Sequence, residues 1–270
     1  MHLLSIITVG MNHLSYLHSF YESLYRIQNF TVAFEAIYVD NCSSDGTVDF
    51  LKANYPQVRI MQNTEPLGFG ENNNKGVAIA KGDIIGIVNP DIVLIDNSIN
   101  NIINYLDTNE NSIVAPKLLN PDRSLQYSVR RFITLKYFFS RVETKGKDSD
   151  ESRTVGEYLC KNIDYNVIQP VDWALGAALF MKKDVYVKLG GFDQRYFLYM
   201  EDEDLCLRGW KMGIPTIYFP KTQMIHNHLR ASSRIGKKAF CHIKSLIKFF
   251  LKHGVNVNRN NLVIDELFRK

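Results

Sequence analysis

Short apolar runs alternate with amphipathic ones through the first 119 positions, and this order restricts the fold more than any other feature of the chain. The runs at 3–9 (LLSIITV), 35–40 (EAIYVD), 58–63 (VRIMQN), 83–89 (DIIGIVN) and 112–118 (SIVAPKL) read as strands. Between the first two, Leu14, Leu17, Phe20, Tyr21 and Leu24 recur at steps of three to four, the apolar stripe of one helix. Further helical segments join the other runs. Strand and helix in alternation predict an α/β fold built on a mainly parallel sheet with crossover helices.

After residue 119 the alternation breaks. Positions 120–165 hold a basic, aromatic stretch (RRFITLKYFFSR) and a charged one (ETKGKDSDESR) that reads as a mobile loop or insertion. Order returns at Val171, with VDWALGAALFMKK, a Gly-Gly-Phe-Asp turn, a helix beginning near Glu201, a strand (IPTIYF) and a basic amphipathic helix (AFCHIKSLIKFFLKHG). There is no internal repeat, and 270 residues suit one large globular unit.

Composition removes several classes of protein. A hydrophobic share of 46% with 22% charged residues is that of a soluble globular chain, and no run of about eighteen uncharged apolar residues predicts a membrane-crossing helix. The opening MHLLSIITVG has neither a basic leader nor a cleavage pattern, so it reads as a first strand and predicts a cytoplasmic protein. Cys42, Cys160, Cys206 and Cys241 are too scattered for a disulfide framework or a zinc site. A net charge of +4 is too mild to imply nucleic acid, which would need Arg and Lys clustered where this chain places acids and amides.

In open α/β sheets the ligand crevice lies beyond the carboxyl ends of the strands, and those ends are unusually polar here. Thr8 and Asn12 follow the first run. DNCSSDG follows the second, with Asp40 placed to accept hydrogen bonds from a base or ribose, although Ser, Asp and Gly also make turns and helix caps. GFGENNNKG follows the third. It has Gly68 and Gly70 but lacks the third glycine of a dinucleotide fingerprint, so its glycines are expected to admit a ligand while Asn73 and Asn74 offer amides. A plain glycine turn with capping Asn is the alternative. Asn89-Pro90-Asp91 follows the fourth run, and one carboxylate beside substrate phosphates suits Mg²⁺ or Mn²⁺, as a capped turn would also suit the sequence.

Four consecutive acids, Glu201 to Asp204, follow the aromatic Tyr196, Phe197 and Tyr199. Capping a helix start explains one acid and not four; taken alone, the run favours a solvated helix face over a cleft base. Downstream, His226 and His228 alternate, so one of them faces the cleft, with Arg230, Ser232 and Ser233 as phosphate-compatible neighbours.

Taken in order, TVGMNHLSYL, VDNCSSDGT, LGFGENNNKG, IVNPDI, the block from Trp173 through EDED to Gly213, and IHNHLRASS resemble the family-2 glycosyltransferases with a GT-A fold. More narrowly, they resemble the rhamnosyltransferase-like branch that builds bacterial surface polysaccharides such as O-antigen. The resemblance spans about residues 3–253. It implies a mixed, mainly parallel Rossmann-like sheet flanked by helices, with an acceptor-side insertion and a C-terminal helix. Residues 1–119 would form the nucleotide-sugar half, 120–253 the acceptor and catalytic half, and 254–270 a tail. Asp40, with Thr8, Asn12, Gly70, Asn73 and Asn89, would hold a nucleoside-diphosphate sugar; Asp91 and His226 would hold the divalent cation. Asp202 would be the general base, and Trp173, Gly176, Gly191, Phe192, Asp193 and Glu201 would shape the pocket for the sugar and acceptor. The family's metal motif is commonly Asp-x-Asp, whereas this chain has Asn-Pro-Asp. The implied reaction is inverting transfer, with dTDP-rhamnose favoured over a UDP-sugar, onto a glycan or a polyprenyl-diphosphate-linked glycan. The basic-aromatic segments would contact the membrane peripherally, unless the last helix simply packs on the core with its lysines in solvent. A non-catalytic sugar-nucleotide or glycan-binding relative is the competing reading, and would be expected to lack Asp91 or Asp202. A nucleotidyltransferase would need a basic glycine loop after the first strand, which TVGMNH does not supply.

Overall fold

The computed structural model describes residues 2–27, 30–96, 98–144, 146, 152–227, 237–259 and 262. Along the chain run β1 (Leu3–Gly10), α1 (Leu14–Glu22), a π-helical turn (Ser23–Ile27), β2 (Ala33–Asp40), α2 (Thr47–Asn54), β3 (Arg59–Gln62), α3 (Phe69–Ile79), β4 (Ile84–Val88), β5 (Ile92–Leu94), α4 (Ile99–Thr108) and β6 (Ile113–Leu119). Then come β7 (Val129–Arg130), α5 (Leu135–Glu143), α6 (Arg153–Tyr158), β8 (Gln169–Val171), β9 (Trp173–Ala174), β10 (Ala178–Lys182), α7 (Lys183–Lys188), α8 (Glu201–Lys211), β11 (Thr216–His226) and α9 (Lys237–His253).

The main sheet has the order β3-β2-β1-β4-β10-β6-β11-β5, with β8 also paired to β11. β3, β2, β1 and β4 are parallel, as the sequence pattern predicts. β10 then enters antiparallel between β4 and β6, whereas β6 pairs parallel with β11. All five β10 residues are buried, so the strand is apolar enough for this central place. The short β5, unmarked in the sequence pattern, pairs antiparallel with the end of β11.

Apolar clusters cover both faces. Leu17, Phe20, Tyr21, Ile102 and Leu106 pack on one, and Ile7, Ile37, Val77, Leu179 and Tyr186 on the other. A third cluster, with Phe132, Trp173, Tyr196, Trp210 and Phe249, joins the second half of the chain to α9. The stretch RRFITLKYFFSR supplies β7 and α5. Most of the charged stretch expected as a loop, and His228, Arg230, Ser232 and Ser233, lie outside the described residues. Among the described residues no helix is long and apolar enough to cross a membrane.

Candidate active site

At the parallel end of the sheet, Gly10 pairs with Asp40, which aligns the loops leaving β1 and β2. Asn12 adopts φ 57, donates its amide to Ser43 Oγ at 2.9 Å, and accepts the Ser44 amide on Oδ1 at 2.8 Å. Asp40 Oδ2 accepts the Ser43 amide at 3.1 Å. Its Oδ1 is buried without a hydrogen-bond partner, and Thr8 is buried on β1 behind it. Asp45 of the same motif accepts amides from Leu14 and Thr47, at the starts of α1 and α2, and is a structural cap. Within the motif Asp45 stitches the helix starts, while Asp40 keeps one buried oxygen without a hydrogen-bond partner.

The glycine loop has a packing role. A β-carbon at Gly68 would lie 2.8 Å from the Phe197 carbonyl oxygen, and one at Gly70 would lie 2.7 Å from Phe192 Cβ. Both bare α-carbons thus face protein. Asn74 is also taken up by structure, since its side chain bonds both the amide and the carbonyl of Phe192 at 2.9 and 2.8 Å. Asn73 differs: its Nδ2 donates to Phe69 at 3.0 Å, and its buried Oδ1 has no hydrogen-bond partner.

Pairing of β5 with β11 brings His226 opposite Ile92, beside the Asn-Pro-Asp turn. Asp91 Oδ1 lies 3.5 Å from His226 Nε2. On the far side of the ring, His226 Nδ1 meets Gln126 Oε1 at 2.7 Å. Gln126 Nε2 donates to Asn120 Oδ1 at 3.1 Å, so Oε1 is the acceptor and Nδ1 carries the proton. Nε2 is then the ring position that faces Asp91, able to donate to the carboxylate when it carries a proton and to offer a lone pair to a cation when it does not. Burial raises the Asp91 pKa, but the His226 ring and, more weakly, His13 outweigh it and hold the carboxyl below its usual range. A buried carboxylate oxygen facing an imidazole nitrogen at this spacing fits two ligands of one cation. No group of three or more His, Cys, Asp or Glu gathers as a metal site among the described residues, so further ligands would come from the substrate or water.

The four consecutive acids do not form the solvated face that the run alone favours. Glu201, Glu203 and Asp204 are buried. Asp204 binds Arg208 at 2.7 Å, Lys252 at 2.5 Å and His253 at 2.7 Å, locking α8 to α9. Glu203 Oε1 accepts the Ile133 amide at 2.6 Å. Glu201 Oε2 is buried without a hydrogen-bond partner, and burial followed by the charge of Asp202 drives its pKa well up. Asp202 alone is partly open. Its Oδ2 accepts the Gly176 amide at 3.0 Å and its Oδ1 the Glu203 amide at 2.9 Å. Burial raises its pKa despite those two amides, which gives a carboxylate suited to taking a proton. Tyr199 and Met200 enter the helix at φ 69 and 73, a left-handed backbone costly for non-glycine residues, concentrated here beside the acids.

Gly176 is where the segments meet. Beyond its bond to Asp202, a β-carbon there would stand 3.4 Å from Phe69 of α3. Its neighbour Ala177 accepts the Asn89 amide at 2.9 Å, which ties the Asn-Pro-Asp turn to the segment that holds Asp202. Trp173 is buried, donates Nε1–H to the Arg131 carbonyl at 2.8 Å, and lies under the Arg130 guanidinium with 5.5 Å from Cζ to ring centroid. Gly191, Phe192 and Asp193 act as supports for this region. Gly191 sits at φ 66 against Asn74, Phe192 packs edge-on to Phe69, and Asp193 pairs with Arg195 at 2.6 Å and Lys252 at 2.7 Å. Sequence reasoning missed Gln126 and Arg130. Neither sits in a motif, and only the pairing of distant strands gives them a partner.

This fold, with an acid pair and a polar crevice at its strand ends, is that of the GT-A glycosyltransferases. The structure of GalNAc-T7 with UDP, GalNAc and Mn²⁺ aligns with a TM-score of 0.69 at 12% identity, covering 93% of this chain and 48% of that one. A Pyrobaculum calidifontis mannosyltransferase in complex with GDP-Man and Mn²⁺ aligns at 0.62 and 17%, covering 94% and 65%. The chain thus spans about half and two thirds of those two structures. A model of glycosyl transferase family 2 matches residues 5–157. The Escherichia coli (strain K12) rhamnosyltransferase WbbL is 32% identical over 217 residues, 74% of this chain and 76% of that protein. An N-acetylglucosaminyl-diphospho-decaprenol L-rhamnosyltransferase of Mycobacterium tuberculosis is 27% identical over 208 residues, covering 72% and 67%. The chain belongs to glycosyltransferase family 2 and is a glycosyltransferase enzyme.

Proposed function

We propose that the protein transfers rhamnose from dTDP-rhamnose, with inversion, to a hydroxyl of a polyprenyl-diphosphate-linked glycan in surface polysaccharide synthesis. The observation that carries the reading is the Asp202–Gly176–Ala177–Asn89 connection, which sets a partly open carboxylate of raised pKa beside the Asp91–His226 pair. The names of the two rhamnosyltransferase relatives support the sugar and the lipid-linked acceptor.

Residues 1–119 would bind the donor, residues 120–253 the acceptor, and 254–270 would be a tail. Asp40 Oδ1 and Asn73 Oδ1, buried acceptors without partners, suit base and ribose donors, with Thr8, Asn12, Gly70 and Asn89 in the crevice wall. Asp91 and His226 would hold Mg²⁺ or Mn²⁺ with the diphosphate. A cation held there would supply positive charge against the charge developing on the departing diphosphate. Asp202 takes the proton of the acceptor hydroxyl as its oxygen attacks the anomeric carbon. The bond from that carbon to the diphosphate breaks, and its electron pair leaves on the phosphate oxygen. A single displacement inverts the anomeric centre. Trp173, Gly176 and Glu201 border this point, and Gly191, Phe192 and Asp193 keep α3 and α8 in register behind it. The enzyme would work in the cytoplasm against the inner membrane face, on which the lysine-flanked apolar row of α9 would rest.

Thermal shift with dTDP-, UDP- and GDP-sugars, with and without Mn²⁺ or Mg²⁺, tests the donor site. Ligand at a hundred times its Kd adds about 2.7 kcal/mol of apparent stability. A cation-dependent shift with dTDP-rhamnose that vanishes in Asp91→Ala is expected. A shift with UDP- or GDP-sugars alone overturns the donor, and none with any nucleotide favours a non-catalytic relative.

A further inference from the structure

Arg130 is a cation that the fold holds in place without neutralising it. β7 pairs antiparallel with β9, which sets Arg130 opposite Trp173. Its guanidinium carbon stands 5.5 Å from the Trp173 ring centroid and 5.7 Å from that of Tyr158. Its Nε is buried without a hydrogen-bond partner, and no ion pair to it forms among the described residues. Other arginines of the fold are treated differently: Arg131 pairs with Asp172 at 3.2 Å, Arg59 with Glu35 at 2.8 Å and Arg208 with Asp204 at 2.7 Å. A guanidinium stacked on two aromatic rings, with a donor left over, is preorganised for an anion.

Its location says which anion. Trp173, opposite Arg130, stands three residues before Gly176, whose amide holds Asp202, while Trp173 and Tyr158 pack in one apolar cluster with Leu246 and Phe249 of α9. The same helix exposes Phe240, Ile243, Ile247 and Leu251 at steps of three and four, the last of them 83% exposed. An anion at Arg130 therefore has the carboxylate of Asp202 on one flank and the exposed apolar row of α9 on the other. That arrangement matches a glycosyl diphosphate carrying a long hydrocarbon chain. Resting on the transferase reading above, we propose that Arg130 binds a phosphate of the acceptor's lipid-diphosphate linker and so selects acceptors with a phosphate beside the reacting sugar.

The test is binding of farnesyl diphosphate, farnesol and inorganic pyrophosphate to the full chain without divalent cation, followed by tryptophan fluorescence. The wild type is expected to bind farnesyl diphosphate at least tenfold tighter than either other probe. Arg130→Gln should erase that preference, Arg130→Lys should keep part of it, and Asp91→Ala should leave it intact. Unchanged binding in Arg130→Gln, loss in Asp91→Ala, or equally tight pyrophosphate would each overturn the proposal. If Arg130→Gln shows no cooperative thermal transition, the wild-type preference, its persistence in Asp91→Ala and its reduction in Arg130→Lys decide. Nucleotide binding with Mn²⁺, measured on the same samples, reports on the transferase reading separately: its absence in the wild type defeats that reading whatever farnesyl diphosphate does.

Discussion

The backbone amide of Gly176 donates to Asp202 Oδ2 at 3.0 Å, a bond between a loop before β10 and the first turn of α8. With the second amide from Glu203 on Oδ1 at 2.9 Å, it fixes the orientation of the carboxylate. Glu201 beside it is fully enclosed, and burial followed by the charge of Asp202 drives its pKa well up.

Asp202→Asn should keep cation-dependent nucleotide binding and lower kcat by about 10²–10⁴-fold, the range for losing a general base. Because the Asp202 pKa is raised, the acid limb of kcat/KM should fall above the ordinary aspartate value of about 3.9. Activity rises with pH through that limb as the base loses its proton. A profile flat from pH 4 upward, or normal turnover by the Asn variant, would sink the assignment.

Gln126→Ala removes the acceptor that holds the His226 Nδ1 proton. Apparent Mn²⁺ affinity in the nucleotide shift should weaken by about 10–100-fold, the usual cost of losing such an outer partner. Titration of Mn²⁺ at fixed nucleotide reads it, and an unchanged midpoint would separate His226 from the cation.

Gly70→Ala places a β-carbon 2.7 Å from Phe192 Cβ inside a packed contact. Overpacking of this kind costs about 1–3 kcal/mol. Urea unfolding should show that loss. A neutral result would mean that Phe192 yields easily and that the glycine is kept for ligand approach.

Asp204→Asn leaves Arg208, Lys252 and His253 without their shared carboxylate and should cost about 3–5 kcal/mol. Burial raises the Asp204 pKa, but His253, Arg208 and Lys252 outweigh it, and the folded value is depressed. The native state therefore binds fewer protons at this group than the unfolded chain does. Its stabilisation is present above the unfolded pKa of about 3.9 and is lost as pH falls through the folded value. Acid melting of wild type and variant should converge at low pH. A gap that persists below pH 2 would count against the network.

Much of the fold is visible along the chain because burial on a sheet or on one helix face leaves a local period. The runs at 3–9, 35–40 and 83–89 became β1, β2 and β4 within a residue or two, and α8 starts at Glu201 as expected. β5, three residues long, is too short to show a period. Nor does any local pattern say that β10 inserts between β4 and β6, since strand order depends on which buried edges match. At the site, Asp40 and Asp91 could be picked out as polar residues at strand ends. Of the four acids only Asp202 is singled out as the base, and by the family resemblance; local pattern could not sort them, because their sequence neighbours are alike and only their spatial partners differ.

The sequence by itself determined an α/β chain with polar strand ends, an acidic helix start and the motif order of a family-2 glycosyltransferase, all properties carried by neighbouring residues. Tertiary structure alone decided that Asp204 is a fastener, Glu203 an anchor for Ile133 and Asp202 the open carboxylate. It also decided that Gly70 packs against Phe192, that Gln126 aims His226 at Asp91, and that Arg130 stands over Trp173 and Tyr158 with its Nε unpartnered. The reason is physical: a side chain's pKa, hydrogen bonding and packing are set by what lies within a few ångströms, and at this site those groups come from residues 26 to 100 positions away.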